Sequence, residues 1–331
     1  MKQTEWTPGD LLELSGHFWK TCTLHAGVKL GVFSKIGVDA LGAEEVARRV
    51  NGSVDGVARL LNALAAMGLL EKRNGRFACN PSARALLSQD SPTYLGHIMM
   101  HHHHLMESWA RLDRSVSSGR PLRERTSVGN EAWRESFLLG MYNLAMALAP
   151  RMVEAVDLSS RRRFLDLGGG PGTYAIHFCL KHPSMTATVF DLPTTRPFAE
   201  KTIDRFRLSD RIAFAAGDYH DDEIFGRFDV AWLSHILHAE GPDECLKIIR
   251  KAVAALQPGG MLIIHEFILD DAMDGPEFPA LFSLNMLLQT ESGRAYSERE
   301  LRDMLMTAGV QGIRRIPIKT PNDSGILVGT V

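Results

Sequence analysis

The sequence predicts an α/β protein, with a doubly wound, mostly parallel sheet over residues 159–331 behind a mainly helical domain of winged-helix type. Three observations predict it. Short apolar strands alternate with helical stretches through the C-terminal half, a pattern that implies parallel strands joined by right-handed crossovers. A glycine-rich turn, Gly168-Gly169-Gly170-Pro171-Gly172, follows the strand-like run Arg163-Phe164-Leu165-Asp166-Leu167 and leads into Thr173 to Phe178, the first turns of a helix. Nearer the N-terminus, helical segments and a hairpin follow one another in winged-helix order.

At 331 residues the chain is long enough for two domains and a sizeable core. A net charge of -2 argues against a dedicated nucleic-acid binder and against a basic membrane-surface protein. No run approaches the ~18 apolar residues of a membrane span. The start, Met-Lys-Gln-Thr-Glu-Trp, carries no apolar signal core. Cys22, Cys79, Cys179 and Cys245 are widely separated and lack metal spacing, so they read as reduced, buried thiols of a cytoplasmic protein.

The first domain is assigned to residues 8–90. Residues 10–36 are helical in character, with Leu11, Leu14, Phe18, Leu24, Val28 and Val32 among the apolar positions and Gly27 and Gly31 as interruptions. Gly42 to Ala47 opens a short helix. Ser53 suits an N-cap for the next, in which Val57, Leu60, Leu61, Leu64 and Met67 keep helical spacing. Asn74-Gly75 between Leu69–Arg73 and Arg76–Cys79 is a strong hairpin signal. A winged helix raises the question of DNA. The would-be recognition helix, residues 54–67, carries one positive charge, Arg59, where reading a groove needs several Arg, Lys, Asn or Gln. A platform for a second subunit suits the apolar stretch 10–36 better.

Residues 91–158 read as connecting helices, 94–118 and 131–157, separated by a loop from Gly119 to Asn130. Pro150 is expected to split the second helix. His101 to His104 continues an apolar helix, and His97, His101 and His104 share one face. That face permits metal binding or pocket lining, but no carboxylate or thiolate stands nearby to help. The blander reading is a set of partly exposed histidines at a domain junction. Met141, Leu144, Met146 and Leu148 read first as core, with Met141 kept as a pocket candidate.

Residues 159–331 alternate strand and helix. Strands are expected at 186–190, 211–215, 228–233 and 260–266, in addition to 163–167. Ligands bind beyond the carboxyl ends of such strands. Asp166 to Gly172, Asp191, Asp218-Tyr219, Ser234 to His238 and Glu266 all fall there. A dinucleotide fingerprint needs glycines at first, third and sixth positions. Counting from Gly168 the sixth residue is Thr173, so that pattern fails. Gly168, Gly170 and Gly172 alternate instead, two places after Asp166. Asp191, about 20 residues beyond the loop, is placed to accept both hydroxyls of a ribose. Asp218 can accept an adenine amino group while Tyr219 packs on the ring. Taken singly, each acid could equally be a helix cap or a solvated loop residue. Their shared placement favours one site.

These segments, together with Phe190-Asp191-Leu192-Pro193, Leu233-Ser234-His235-Ile236-Leu237-His238 and Leu256-Gln257-Pro258-Gly259-Gly260, make the chain resemble the plant-type O-methyltransferase family over almost its whole length. The resemblance implies a Rossmann-like sheet of seven strands and an N-terminal winged-helix domain used for homodimerisation. It implies S-adenosylmethionine (SAM) as cofactor, held by Asp166, Gly168, Gly170, Asp191, Leu192, Asp218, Tyr219 and Ser234, the last at the cofactor's tail. His238 takes the position of the catalytic base and Glu266 that of an acid flanking it. Asn285, Met286, Gln289 and Thr290 fall in the segment that lines the acceptor pocket, and His235 is a lesser candidate for that lining. No metal is expected, because no matching set of Asp and Asn ligands is visible. Two departures stand out. Ala239-Glu240 follows His238 where many relatives have Asp and then Trp, and Ala295 stands where some carry a second acid. The implied reaction is direct displacement onto a hydroxyl of a small aromatic or polyketide-like acceptor. Carbon or nitrogen acceptors on the same scaffold, and a winged-helix regulator with an inactive SAM domain, are the alternatives.

Overall fold

The computed structural model describes residues 5–122 and 131–331, so the expected loop at 119–130 lies mostly outside the described residues. The chain forms two compact units, Met1–Leu105 and Met106–Val331.

In the first unit, α1 (Pro8–Lys29) starts at a capping box between Thr7 and Asp10 and runs through Gly27 without a break. A Cβ at Gly27 would come within 3.1 Å of Leu64 and 3.2 Å of Phe33, so glycine serves close packing there. After α2 (Val32–Ile36) come β1 (Ala40–Gly42), α3 (Ala43–Val50) and α4 (Val54–Ala66), the last capped by Ser53 as expected. β2 (Leu70–Arg73) and β3 (Arg76–Cys79) form the hairpin, with φ of 50° at Asn74 and 75° at Gly75. Left-handed backbone at both central residues is what a type I′ turn requires. β1 adds a third strand beside β3 that three residues were too short to signal. α5 (Pro81–Leu87) follows, and then α6 (Gly96–Trp109), whose last residues, from Met106 on, belong to the second unit. Val32, Phe33, Leu61 and Leu64 centre this unit's core. The one cation of α4, Arg59, pairs with Asp55 at 3.0 Å. Within this unit α1 leaves Leu12, Phe18 and Trp19 exposed, Trp19 by 70%. Cys22 on α1 is exposed as well, which corrects the expectation of a buried thiol.

The second unit holds α7 (Leu112–Ser118), α8 (Glu131–Ala155) and the sheet. Its chain order is β4 (Arg163–Leu167), α9 (Thr173–Lys181), β5 (Thr186–Asp191), α10 (Arg196–Arg205), β6 (Ile212–Ala216), β7 (Phe228–Ser234), α11 (Pro242–Ala255) and β8 (Leu256–Leu269). α12 (Glu277–Leu287), β9 (Tyr296–Ser297), α13 (Glu298–Thr307), β10 (Gln311–Ile316) and β11 (Ser324–Thr330) complete it. The strands lie in the order β10-β11-β8-β7-β4-β5-β6, with β9 paired to β8. β8-β7-β4-β5-β6 are parallel, and β11 runs antiparallel to both β8 and β10. Successive strand residues face opposite sides. Phe164, Trp232 and Ile263 therefore join a core with α8 and α9, while Leu165, Leu233 and Ile264 join one with α11 and α13.

Two helix expectations need correction. The stretch 94–118 is broken between α6 and α7, and α8 continues through Pro150. Proline removes one helical hydrogen bond. Leu148, Ala149, Met152 and Val153 are buried on either side of it in one core, and that packing holds the helix whole. Among the described residues no helix is long and apolar enough to cross a membrane.

Candidate active site

The carboxyl ends of β4, β5, β6, β7 and β8 bring the predicted polar residues to one edge of the sheet. After β4 the chain turns at Gly168 with φ of 65°, and a Cβ there would lie 2.6 Å from Ile236 Cγ2. Gly170, at φ 53°, has nothing within 4 Å of where its Cβ would be. Its N–H donates to Asp191 Oδ2 at 2.8 Å. Asp191 Oδ1 accepts from Leu192 N–H at 2.7 Å and from Thr195 Oγ1 at 2.9 Å. The acid thus ties the glycine loop to β5. Asp166 Oδ2 accepts from Ala175 N–H at 3.1 Å, while Oδ1 is buried with no hydrogen-bond partner. Burial pushes Asp166 up to about 7, with the Ala175 bond opposing and Asp191 adding. Burial raises Asp191 too, against its three donors. Among the described residues neither acid is ion-paired to Lys or Arg. An acceptor-rich edge without a cation suits a ligand that brings positive charge.

Beyond β6, Asp218 closes its own turn: Oδ1 accepts from His220 N–H at 2.9 Å, and its N–H donates to Asp222 at 2.8 Å. Tyr219 lies against His220, ring centroids 4.7 Å apart. Ser234, half-buried at the end of β7, has its Oγ 2.9 Å from His265 Nδ1.

Across β8 the chemistry changes. Glu266 is 2% exposed and its Oε2 lies 2.8 Å from His238 Nδ1. Its Oε1 accepts from the N–H groups of Leu237 at 2.9 Å and His238 at 3.3 Å, and Oε2 also accepts from Phe267 N–H at 3.3 Å. Burial pushes this carboxyl up. His238 and His235, through charge and hydrogen bonding, outweigh burial and hold it well below the usual carboxylate range. An ionised carboxylate only accepts, so His238 Nδ1 carries a proton and Nε2 is the ring nitrogen left facing away from Glu266. The His238 side chain is 12% exposed. Phe267 stacks along it at 5.8 Å and Phe282 meets it edge-on at 4.7 Å, with Phe278 beyond.

His235, only a lesser candidate from sequence, belongs to this group. Its φ is 55°, its Nδ1 lies 3.6 Å from Glu266 Oε2, and its ring sits 4.2 Å from Phe267. Among the described residues, His235, His238 and Glu266 are the one set of three ligating side chains that gathers closely. Glu266 commits both oxygens to N–H donors, an arrangement suited to proton handling rather than to metal ligation.

The candidates on α12 (Asn285, Met286) and just beyond it (Gln289, Thr290) are buried. Asn285 Oδ1 accepts from Trp109 Nε1 at 3.1 Å, Gln289 Nε2 donates to Asn285 O at 3.3 Å, and Thr290 Oγ1 donates to Met286 O at 2.8 Å. These bonds stiffen the helix end more than they present polar atoms. Met141 is half-buried on α8 and shares none of these bonds. Where relatives' Asp and Trp are missing, Tyr296 OH donates to Glu240 O at 2.5 Å and Cys245 Sγ to Leu237 O at 3.1 Å, pinning the turn that carries His238. Neither residue carried a sequence signal for that role. The histidine run belongs to the first unit's packing: His103 Nε2 lies 3.0 Å from Lys29 Nζ, and burial, then His103 and His102, lowers His25 to about 4.

Known proteins resemble this chain over most of its length. A family model for the O-methyltransferase domain matches residues 117–311, and one for the O-methyltransferase dimerisation domain matches residues 12–89. The chain is 33% identical over 330 residues to 3-hydroxy-5-methyl-1-naphthoate 3-O-methyltransferase of Streptomyces sahachiroi, covering 97% of this chain and 95% of that one. It is 31% identical over 329 residues to the tetracenomycin polyketide synthesis 8-O-methyl transferase TcmO of Streptomyces glaucescens, covering 96% of each. The crystal structure of human N-acetylserotonin methyltransferase in complex with SAM matches with a TM-score of 0.87 at 25% identity, over 100% of this chain and 99% of that one.

Proposed function

The chain belongs to the O-methyltransferase family and is a SAM-dependent O-methyltransferase, and from that premise we propose that it methylates a hydroxyl of a small aromatic or polyketide-like acceptor with His238 as general base. The observation that carries this reading is the His238–Glu266 pair, whose Nε2 stands in a wall of phenylalanines. Flat apolar rings pack well on such a wall.

The residues present fit SAM. Open space at Gly170, the unpartnered Oδ1 of Asp166 and, among the described residues, the lack of a cation paired to these acids leave room for a cationic group. Asp191 and Leu192 would hold the ribose side, Asp218 and Tyr219 the adenine, and Gly168, Gly170 and Ser234 the methionine end. When bound, SAM supplies a sulfonium methyl that passes to the acceptor oxygen by direct displacement.

The protein's part is alignment and proton removal. A phenol near pKa ~10 and a histidine near ~6.5 differ by about 3.5 units, or ~4.8 kcal/mol. Full deprotonation beforehand is uphill, so His238 takes the proton as the oxygen–carbon bond forms. Glu266 then stabilises the imidazolium. Such assistance is typically worth ~10²–10⁴-fold. Met286, with Asn285 and Gln289 beside it, would border the acceptor and Met141 would add an apolar contact. The exposed Leu12, Phe18 and Trp19 of α1, within the matched dimerisation domain, suit a homodimer interface.

The test is a panel of hydroxynaphthoates, hydroxyquinones and simple phenols, each with an amine and a deoxy counterpart, incubated with SAM bearing a deuterated methyl. Mass spectrometry should find the label on oxygen. Label confined to nitrogen or carbon would overturn the hydroxyl assignment.

A further inference from the structure

Behind the edge of the sheet, three hydroxyls and one imidazole form a buried chain whose protons have a single consistent direction. Thr320 Oγ1 donates to the backbone oxygen of Ser324 at 3.0 Å, which uses its only proton. Ser324 Oγ lies 3.1 Å from Thr320 Oγ1, and that bond exists only if Ser324 donates. His265 Nε2 lies 3.0 Å from Ser324 Oγ. With the serine proton committed, Nε2 must carry a hydrogen and donate it. Burial holds His265 well below its ordinary range, so the ring is neutral and its Nδ1 is bare. Of the two hydroxyls near that nitrogen, Ser234 Oγ at 2.9 Å is closer than Tyr174 OH at 3.4 Å and donates to it, while Tyr174 also hydrogen-bonds Ser234. The consequence reaches the ligand edge: Ser234 keeps lone pairs there but no proton.

We propose that His265 is a positioning residue that fixes the Ser234 hydroxyl as an acceptor, so that this edge of the site selects the ammonium of the cofactor's amino-acid tail over its carboxylate. The proposal rests on the SAM reading, which places the tail beside Ser234. Ribose and adenine donors are matched by Asp191 and Asp218, which leaves the ammonium as the donor for Ser234.

Calorimetry with S-adenosylhomocysteine and with its analogue lacking the α-amino group tests this. Ser234→Ala should weaken S-adenosylhomocysteine by about tenfold and the amine-free analogue by less than about twofold, as expected for loss of one hydrogen bond to a charged group. Ser324→Ala touches no ligand but removes the acceptor for Nε2–H. The ring proton should then move to Nδ1, turning Ser234 into a donor, and preference for the amine should fall by several-fold. Nitrogen-15 spectra, with His265 assigned by its loss in His265→Gln, should show a protonated Nε2 and bare Nδ1 in the wild type and the reverse in Ser324→Ala. Unchanged amine preference in Ser324→Ala, or a bare Nε2 in the wild type, would overturn the proposal. A wild type that binds neither compound would instead overturn the cofactor reading beneath it, while the spectra would still report the tautomer.

Discussion

Asp166 and Glu266 are carboxylates of one sheet, both fully enclosed, and they are pushed in opposite directions. Asp166 has one backbone donor, an unpartnered oxygen and another acid nearby, and burial carries it up to about 7. Glu266 receives three backbone N–H groups and His238, with His235 beside it, and stays ionised against the same burial. The number of donors, not depth, decides the charge. One side of the edge carries acids with no paired cation among the described residues. The other has its charge balanced by the histidines beside it.

The largest effect should follow from breaking the balanced side. His238→Ala should cut the methyl-transfer rate by ~10²–10⁴-fold while affinity for S-adenosylhomocysteine stays within a few-fold, read by single-turnover kinetics and calorimetry. A rate near wild type would reduce His238 to packing.

Stability against pH separates the two carboxylates. Glu266 is held below its unfolded value of ~4.3, so its contribution is full above that pH and is lost as pH falls below it. Glu266→Gln should therefore cost roughly 3–5 kcal/mol near pH 7, with the gap to wild type closing in acid. Asp166 is raised to about 7, so between its unfolded value of ~3.9 and that pH the folded state holds the extra proton. Wild-type stability should fall as pH rises through this window, and Asp166→Asn should abolish that fall. Denaturant titrations of the ligand-free protein at pH 3 to 8 read both, and parallel pH profiles for the two variants would dissolve the contrast.

Asp191→Ala should weaken S-adenosylhomocysteine by ~10–100-fold, the scale of one or two charge-assisted bonds, with the rate at saturating SAM little changed. An unaltered dissociation constant would remove Asp191 from the ribose.

The acceptor-rich side was the more legible in sequence. Gly168 and Gly170 mark positive φ, and Asp191 and Asp218 end apolar runs, so backbone need and strand polarity are written in residue type. The hairpin at Asn74-Gly75 was legible for the same reason. The other side depends on contacts between distant segments. Phe278 and Phe282, one turn apart on α12, carry no motif. His265 and Glu266 sit inside a run that pattern alone reads as strand, and Tyr174 reads as a helix residue. Pro150 misled because packing of α8 overrides its local cost, and β1 and β9 are too short to carry a period.

A double-mutant cycle in single-turnover methyl transfer at saturating SAM tests the central claim, that His238 and Glu266 act as one proton-accepting unit. Adding Glu266→Gln to His238→Ala should slow the reaction little beyond His238→Ala alone. Full multiplication of the two single effects would show that the residues act separately and would contradict the account.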